Sequence, residues 1–322
     1  VDGQSLPTLG PATVQVNATL LSRSFAPVTG LKFSRDGQFL ASADVDRTVR
    51  VWQGGHLTFE KNFRSDRERL RAIDIVRGFE ISPGGKSIFI AAGDSVTEIP
   101  FAMPVPLWRR GRKPTFGFII TCPKALAVAK SGEIAMAYDD AYMEVLPIGY
   151  PGRAVRQWKD NDAPFCMSYL SDGRTLIGTD GRSICMWNAQ SGEKTWKFSL
   201  GTKVCNVVAS ETEPIAAIRT LHRVFLLDCK SLQIISSAPT LHGSPTLAMS
   251  TDGQYVAAGD MTGVSVFDQK GSLVDRFPQI SARTLAIAFL PGARTLAIGS
   301  SDGTVVLWMF TPGQKLLPAS VY

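Results

Sequence analysis

Apolar and polar positions alternate along most of this chain in short runs, without the three-and-four spacing of an amphipathic helix. Runs such as "GLKFS", "TLAMS" and "TLAIAFL" each meet a polar turn and are followed by a second apolar run such as "FLASA", "YVAAG" or "TLAIGS". A period of two puts one face of a strand in the core and the other in water, so each pair of runs predicts a β-hairpin. Asp-Gly or Gly-Gly between the runs supports this, because glycine accepts the positive φ of a tight turn. Proline is nearly absent inside the runs.

The hairpin is written seven times. Polar turns "SRDG", "SPGG", "KSG", "SDG", "SETE", "STDG" and "LPGA" recur every 39 to 48 residues. A third strand follows in each unit, as "RTVRVW", "SVTEIP", "YMEVLP", "RSICMW", "RVFLLD", "GVSVFD" and "TVVLW", and a weaker fourth run in most, as "LTFEKN", "TFGFIIT", "RAVRQW", "KTWKFS", "QIISSA" and "LVDRFP". The seventh unit has no fourth run of its own. The segment 13–21, "TVQVNATLL", alternates well without a partner, and it is expected to complete the last sheet and close a ring. Closure removes the open edge that a linear stack of sheets would expose.

These units resemble WD40 repeats, and seven of them resemble a seven-bladed β-propeller. The first, fourth and seventh copies carry the resemblance best, ending in Trp52, Trp187 and Trp308 and holding the turn aspartates Asp46, Asp180 and Asp302. In the family an aspartate there helps tie the blade by hydrogen bonds. The departures are equally plain. The Gly-His dipeptide is missing apart from a reversed pair at His242 and Gly243, and no Trp is followed by Asp. Apolar packing between sheets is therefore expected to hold the blades. The expected fold is all-β, a single propeller over residues 1–322, with a tail at 1–12, the closing strand at 13–21, blades over 22–310 and a second tail at 311–322.

Composition alters little. Of 322 residues, 44% are hydrophobic and 19% charged, as in water-soluble globular chains. No window approaches the run of about 20 apolar residues that a spanning helix needs. The net charge of +6 permits an acidic partner without requiring one. Five cysteines, Cys122, Cys166, Cys185, Cys205 and Cys229, lie far apart with no CxxC pair, which suits reduced and mostly buried thiols. The chain begins at Val1, so an upstream targeting segment would not be visible; the cytoplasm is the expected compartment.

Candidate chemistry is sparse. "SPGGKS" ends like a phosphate-binding loop, but Glu80 stands where that motif needs glycine, and strands flank it where a helix should follow. His56, His222 and His242 fall in different units without a second ligand at metal spacing, so no metal or cofactor is expected. No Gly-x-Ser-x-Gly elbow occurs. Asp139 and Asp140 in "YDDAY" read as a turn pair, where aspartate bonds its own backbone, in preference to an acid–base pair. Asn17 in "NAT" fits a glycosylation acceptor, discounted because it lies within the closing strand.

Two basic stretches break the repeat. Segment 61–77 holds six basic and three acidic residues, including Arg64, Arg67, Arg69 and Arg71. Segment 101–114, read as the connection between the third and fourth strands of the second unit, sets Trp108 beside Arg109, Arg110, Arg112 and Lys113 with no acid. Aromatic and arginine side chains dominate binding energy at interfaces. Propeller topology puts these two stretches on opposite faces, which disfavours one continuous nucleic-acid groove. The expectation is a noncatalytic scaffold for other proteins, acidic surfaces among them, within a hetero-complex or a longer chain. The alternative is an enzyme or a small-ligand or metal binder using the central channel. Guanine-nucleotide exchange ranks last, since the chain has no glycine-rich potassium-type loop.

Overall fold

The computed structural model describes residues 18–23, 26–46, 48–62, 76–92, 95–101, 108–111, 123–148, 156–241, 245–260, 263–278 and 282–312. Seven four-stranded antiparallel sheets make up this part of the chain. The strand β1 (Ala18–Arg23) precedes the first blade. Blade 1 contains β2 (Val28–Phe33), β3 (Phe39–Asp44), β4 (Thr48–Gln53) and β5 (His56–Asn62). Blade 2 follows with β6 (Val76–Ile81), β7 (Ser87–Ala92), β8 (Ser95–Pro100) and β9 (Trp108–Gly111). In blade 3 come β10 (Pro123–Val128), β11 (Glu133–Tyr138), β12 (Tyr142–Pro147) and β13 (Arg156–Lys159). Blade 4 has β14 (Cys166–Tyr169), β15 (Thr175–Thr179), β16 (Ile184–Asn188) and β17 (Lys194–Phe198). Blade 5 has β18 (Val204–Ala209), β19 (Ile215–Thr220), β20 (Arg223–Asp228) and β21 (Gln233–Pro239). Blade 6 has β22 (Leu247–Met249), β23 (Tyr255–Asp260), β24 (Gly263–Asp268) and β25 (Leu273–Pro278). Blade 7 has β26 (Thr284–Phe289), β27 (Thr295–Ser300) and β28 (Thr304–Met309), and β1 supplies its outer strand by pairing antiparallel with β28. The closing strand is thus described over 18–23, while 13–17, including Asn17, lie outside the described residues.

Each seam between neighbouring blades has its own apolar cluster. The seam that closes the ring packs Val28, Leu31, Leu40 and Trp52 of blade 1 against Ala286, Ala288, Ala297 and Val305 of blade 7. Alternation along the middle strands explains this: both faces of each sheet are buried, so residues such as Val49 and Val51 on one face and Trp52 on the other are all inaccessible. Burying one such side chain contributes roughly 1.5–3 kcal/mol. Close approach at the seams also demands glycine. A Cβ on Gly299 would come within 2.7 Å of Val28 Cγ1, and one on Gly178 within 2.8 Å of the Cys166 carbonyl oxygen and Pro164 Cβ.

The turn aspartates act locally. Asp46 accepts from the Thr48 amide at 3.0 Å, Asp180 from the Arg182 and Ser183 amides at 2.8 and 2.7 Å, and Asp302 from the Thr304 amide at 3.1 Å. Ser82 of "SPGGKS" accepts from the amides of Lys86 and Ser87 in a hairpin turn. Asp139 and Asp140 form the turn between β11 and β12, where Asp140 accepts from the Tyr142 amide at 3.3 Å.

One expectation needs correction. The fourth strand of blade 2 is Trp108–Gly111, not "TFGFIIT", so Trp108, Arg109 and Arg110 belong to a strand and not to a connecting loop. The outermost strand of a blade is half solvated, so a cationic run can form it. Residues 115–121, expected to form that strand, lie outside the described residues.

Candidate interaction sites around the channel and rim

The innermost strands β2, β6, β10, β14, β18, β22 and β26 surround a channel of about 510 Å3. Its wall is polar on one side. Lys32 of β2 pairs with Glu80 of β6 at 2.8 Å. Burial alone would lower the Lys32 ammonium, but Glu80 beside it outweighs that and holds it above the ordinary lysine value. Cys166 of β14 and Asn206 of β18 continue the polar side, while Ala248, Met249, Ala286 and Ala288 line the other.

Antiparallel order puts the turns between first and second strands at one end of this channel, and the connections between blades at the other. At the first mouth, charges meet one another. Arg35 in the first turn of blade 1 pairs with Glu211 in that of blade 5 at 3.1 Å, and Lys130 in that of blade 3 donates to the Glu211 carbonyl. Three nonadjacent blades are thereby joined across the opening. Glu211 comes from "SETE", the turn without glycine.

The other mouth is arranged differently. Phe165, in the connection from blade 3 to blade 4, is 39% exposed, and its ring packs over Gly181 in the turn between β15 and β16. Arg182 and Lys203 flank that turn and are exposed. Leu241, in the connection from blade 5 to blade 6, is 51% exposed. The connection bearing Phe165 is clamped from below. Asp160 accepts from Trp187 Nε1 at 2.6 Å and from Lys194 Nζ at 2.8 Å, and Asp162 accepts from Lys197 Nζ at 2.8 Å. Burial would raise the Asp160 carboxyl, but the Lys194 and Trp187 hydrogen bonds outweigh it and hold it below the ordinary value; hydrogen bonds from Lys194 and Lys197 do the same for Asp162. These acids raise Lys194 in turn.

Of the residues singled out from sequence, Trp108, Arg109 and Arg110 lie on β9 at the rim, where the strand pairs on its inner side with β8. Arg112, Lys113, Arg64, Arg67, Arg69 and Arg71 lie outside the described residues. Sequence reasoning missed Phe165, Arg182, Lys203 and Leu241. The one signal was an aromatic in the short connection "NDAPFC", where polar residues suffice to join two blades.

No group of three or more His, Cys, Asp or Glu side chains that could hold a metal ion occurs among the described residues. No helix among them is long and apolar enough to cross a membrane.

Residues 17–53 and 279–309 match the family described as WD domain, G-beta repeat. These are the first and last blades, the pair that the closing seam joins. No curated protein matches the chain. Among solved structures, the Cps50 (Swd1) beta-propeller domain of Myceliophteria thermophila is similar, with a TM-score of 0.73 and 16% identity over 91% of this chain and 100% of that one. The chain thus folds as a seven-bladed β-propeller, and the two blades that meet at its closing seam carry the pattern of the WD40 repeat.

Proposed function

We propose that this propeller is a noncatalytic docking platform for protein partners, including ones with acidic surfaces. Propellers of this family generally bind other proteins. The observation that carries the reading for this chain is the mouth at the inter-blade connections, where exposed Phe165 packs over Gly181 next to the exposed cations Arg182 and Lys203, with exposed Leu241 in the connection from blade 5 to blade 6. An exposed aromatic side chain beside cations suits a partner segment that combines a large apolar side chain with carboxylates. The rim strand β9 offers a second grip through Trp108, Arg109 and Arg110, with Arg112 and Lys113 next in the chain, and the 61–77 segment a third through Arg64, Arg67, Arg69 and Arg71. The reading places the platform in the cytoplasm, as a subunit of a hetero-complex or a domain of a longer chain.

Reversing two charges on β9 tests the rim. Arg109→Glu/Arg110→Glu is expected to lose at least one partner that co-purifies with the unaltered chain, measured by affinity purification with quantitative mass spectrometry. Full retention by a folded variant would remove the rim from the proposal. A small-ligand site in the channel is the second reading, favoured by its volume of about 510 Å3 and the convergence of Lys32, Glu80, Cys166 and Asn206 on one wall.

A further inference from the structure

The position before last on the second strand of a blade takes a small residue in six of the seven blades: Ala43, Ala91, Ala137, Gly178, Gly259 and Gly299. Blade 5 departs from that rule. Its residue on β19 is Arg219, which is 1% exposed and reaches past its own sheet to blade 6. Nη2 donates to the Gly259 carbonyl of β23 at 3.0 Å and to the Leu241 carbonyl, in the connection between the two blades, at 3.4 Å.

The rest of the guanidinium is left over. Nε and Nη1 are buried without a hydrogen-bond partner among the described residues. Two buried hydroxyls share that condition close by, Thr240 Oγ1 and Thr246 Oγ1. Thr240 directly precedes Leu241, whose carbonyl Arg219 holds. Thr246 Oγ1 lies so close against Gly259 that a Cβ there would fall 2.1 Å from it, and the Gly259 amide donates to the Thr246 carbonyl at 3.2 Å. Four buried polar atoms without a partner thus meet at the junction of blades 5 and 6.

Charge at this junction is unbalanced as well. Asp260, next to Gly259, is buried, and both its oxygens face Arg276 Nη2 at 3.5 Å. Among the described residues, the two guanidiniums of Arg219 and Arg276 stand against this one carboxylate. Leaving a buried charged donor unpaired is costly, so a guest that completes its hydrogen bonds is favoured. Guanidinium nitrogens only donate, and the two carbonyls within their reach already accept from Nη2. Water would bring O–H groups that need acceptors of their own. An anion brings acceptor capacity together with negative charge, and burial of both nitrogens restricts it to a few atoms.

We propose that the junction of blades 5 and 6 is a binding site for a small monovalent anion of the chloride class, held by the N–H groups of Arg219 that the protein leaves unpartnered, with the hydroxyls of Thr240 and Thr246 as further donors. An ion there fixes the guanidinium that bonds the Leu241 carbonyl, and with it a connection at the open mouth. The site is complete within one chain, so it does not depend on the docking reading.

Thermal melts of the purified full chain in sodium chloride and in sodium gluconate, at equal ionic strength, test the site. Chloride is expected to raise the midpoint by about 3 °C at a tenfold excess over its dissociation constant, and bromide to do the same. Arg219→Met, which keeps most of the bulk without the donors, should remove the difference between the salts, and Thr246→Val should reduce it. Should Arg219→Met fail to fold, crystals of the unaltered chain grown in bromide decide by themselves: an anomalous peak is expected within hydrogen-bond reach of an Arg219 guanidinium nitrogen. Equal midpoints in the two salts, a chloride effect that a folded Arg219→Met variant keeps in full, or ordered water alone at the guanidinium in bromide crystals would overturn the assignment.

Discussion

The two mouths of the channel use the same residue types to opposite ends. At the mouth formed by the first turns of the blades, Arg35, Glu211 and Lys130 bond across the opening and satisfy one another. At the mouth formed by the inter-blade connections, partly buried ion pairs such as Lys194 with Asp160 brace a connection from below, and exposed at that end are Phe165, Leu241, Arg182 and Lys203. Charge spent within the ring closes a surface, whereas charge left facing water beside apolar side chains leaves one open to partners.

Removing the support beneath the open mouth should have the largest effect. Trp187 is fully buried and its indole N–H holds Asp160 in the connection that presents Phe165. Trp187→Ala is expected to cost about 3–5 kcal/mol in denaturant unfolding, through lost burial and the cavity left behind. Gly178→Ala should come next at about 1–3 kcal/mol, because its Cβ would press on the Cys166 carbonyl and Pro164, the neighbours of Phe165.

Acid should act more mildly and on the same connection. Asp160 and Asp162 are held below their ordinary 3.8 in the folded chain. A carboxyl lowered by folding adds stability that is complete above its unfolded value and is lost as pH falls through the folded one. Thermal midpoints should therefore fall as pH drops below about 4, and Asp162→Asn should lose less over that interval, by about 1 kcal/mol. The smallest change is expected at the closed mouth. Glu211→Gln removes a pair between partly exposed groups and should cost no more than about 1 kcal/mol in the same unfolding measurement, less at high salt.

The ring itself was legible in sequence, because polar turns and period-two alternation are local signals repeated seven times, and the unpaired run before the first unit pointed to β1 as the closing strand. The outer strand of blade 2 was not legible. Arg109 and Arg110 lie on the outermost strand of that sheet, but a cationic run carries no strand signal, while the apolar 115–121 run did. The open mouth was hidden for a different reason: Phe165, Arg182, Lys203 and Leu241 are spread over 77 positions and come to one end of the channel only as successive blades stack.

Comparing the two mouths in one affinity-purification series with quantitative mass spectrometry tests the central claim most directly. Phe165→Ala/Lys203→Glu at the open mouth should lose co-purifying partners about tenfold, as expected when a central anchor is truncated and a charge reversed, while Glu211→Gln at the closed mouth keeps them. Equal retention by both folded variants, or loss with Glu211→Gln alone, would contradict the account.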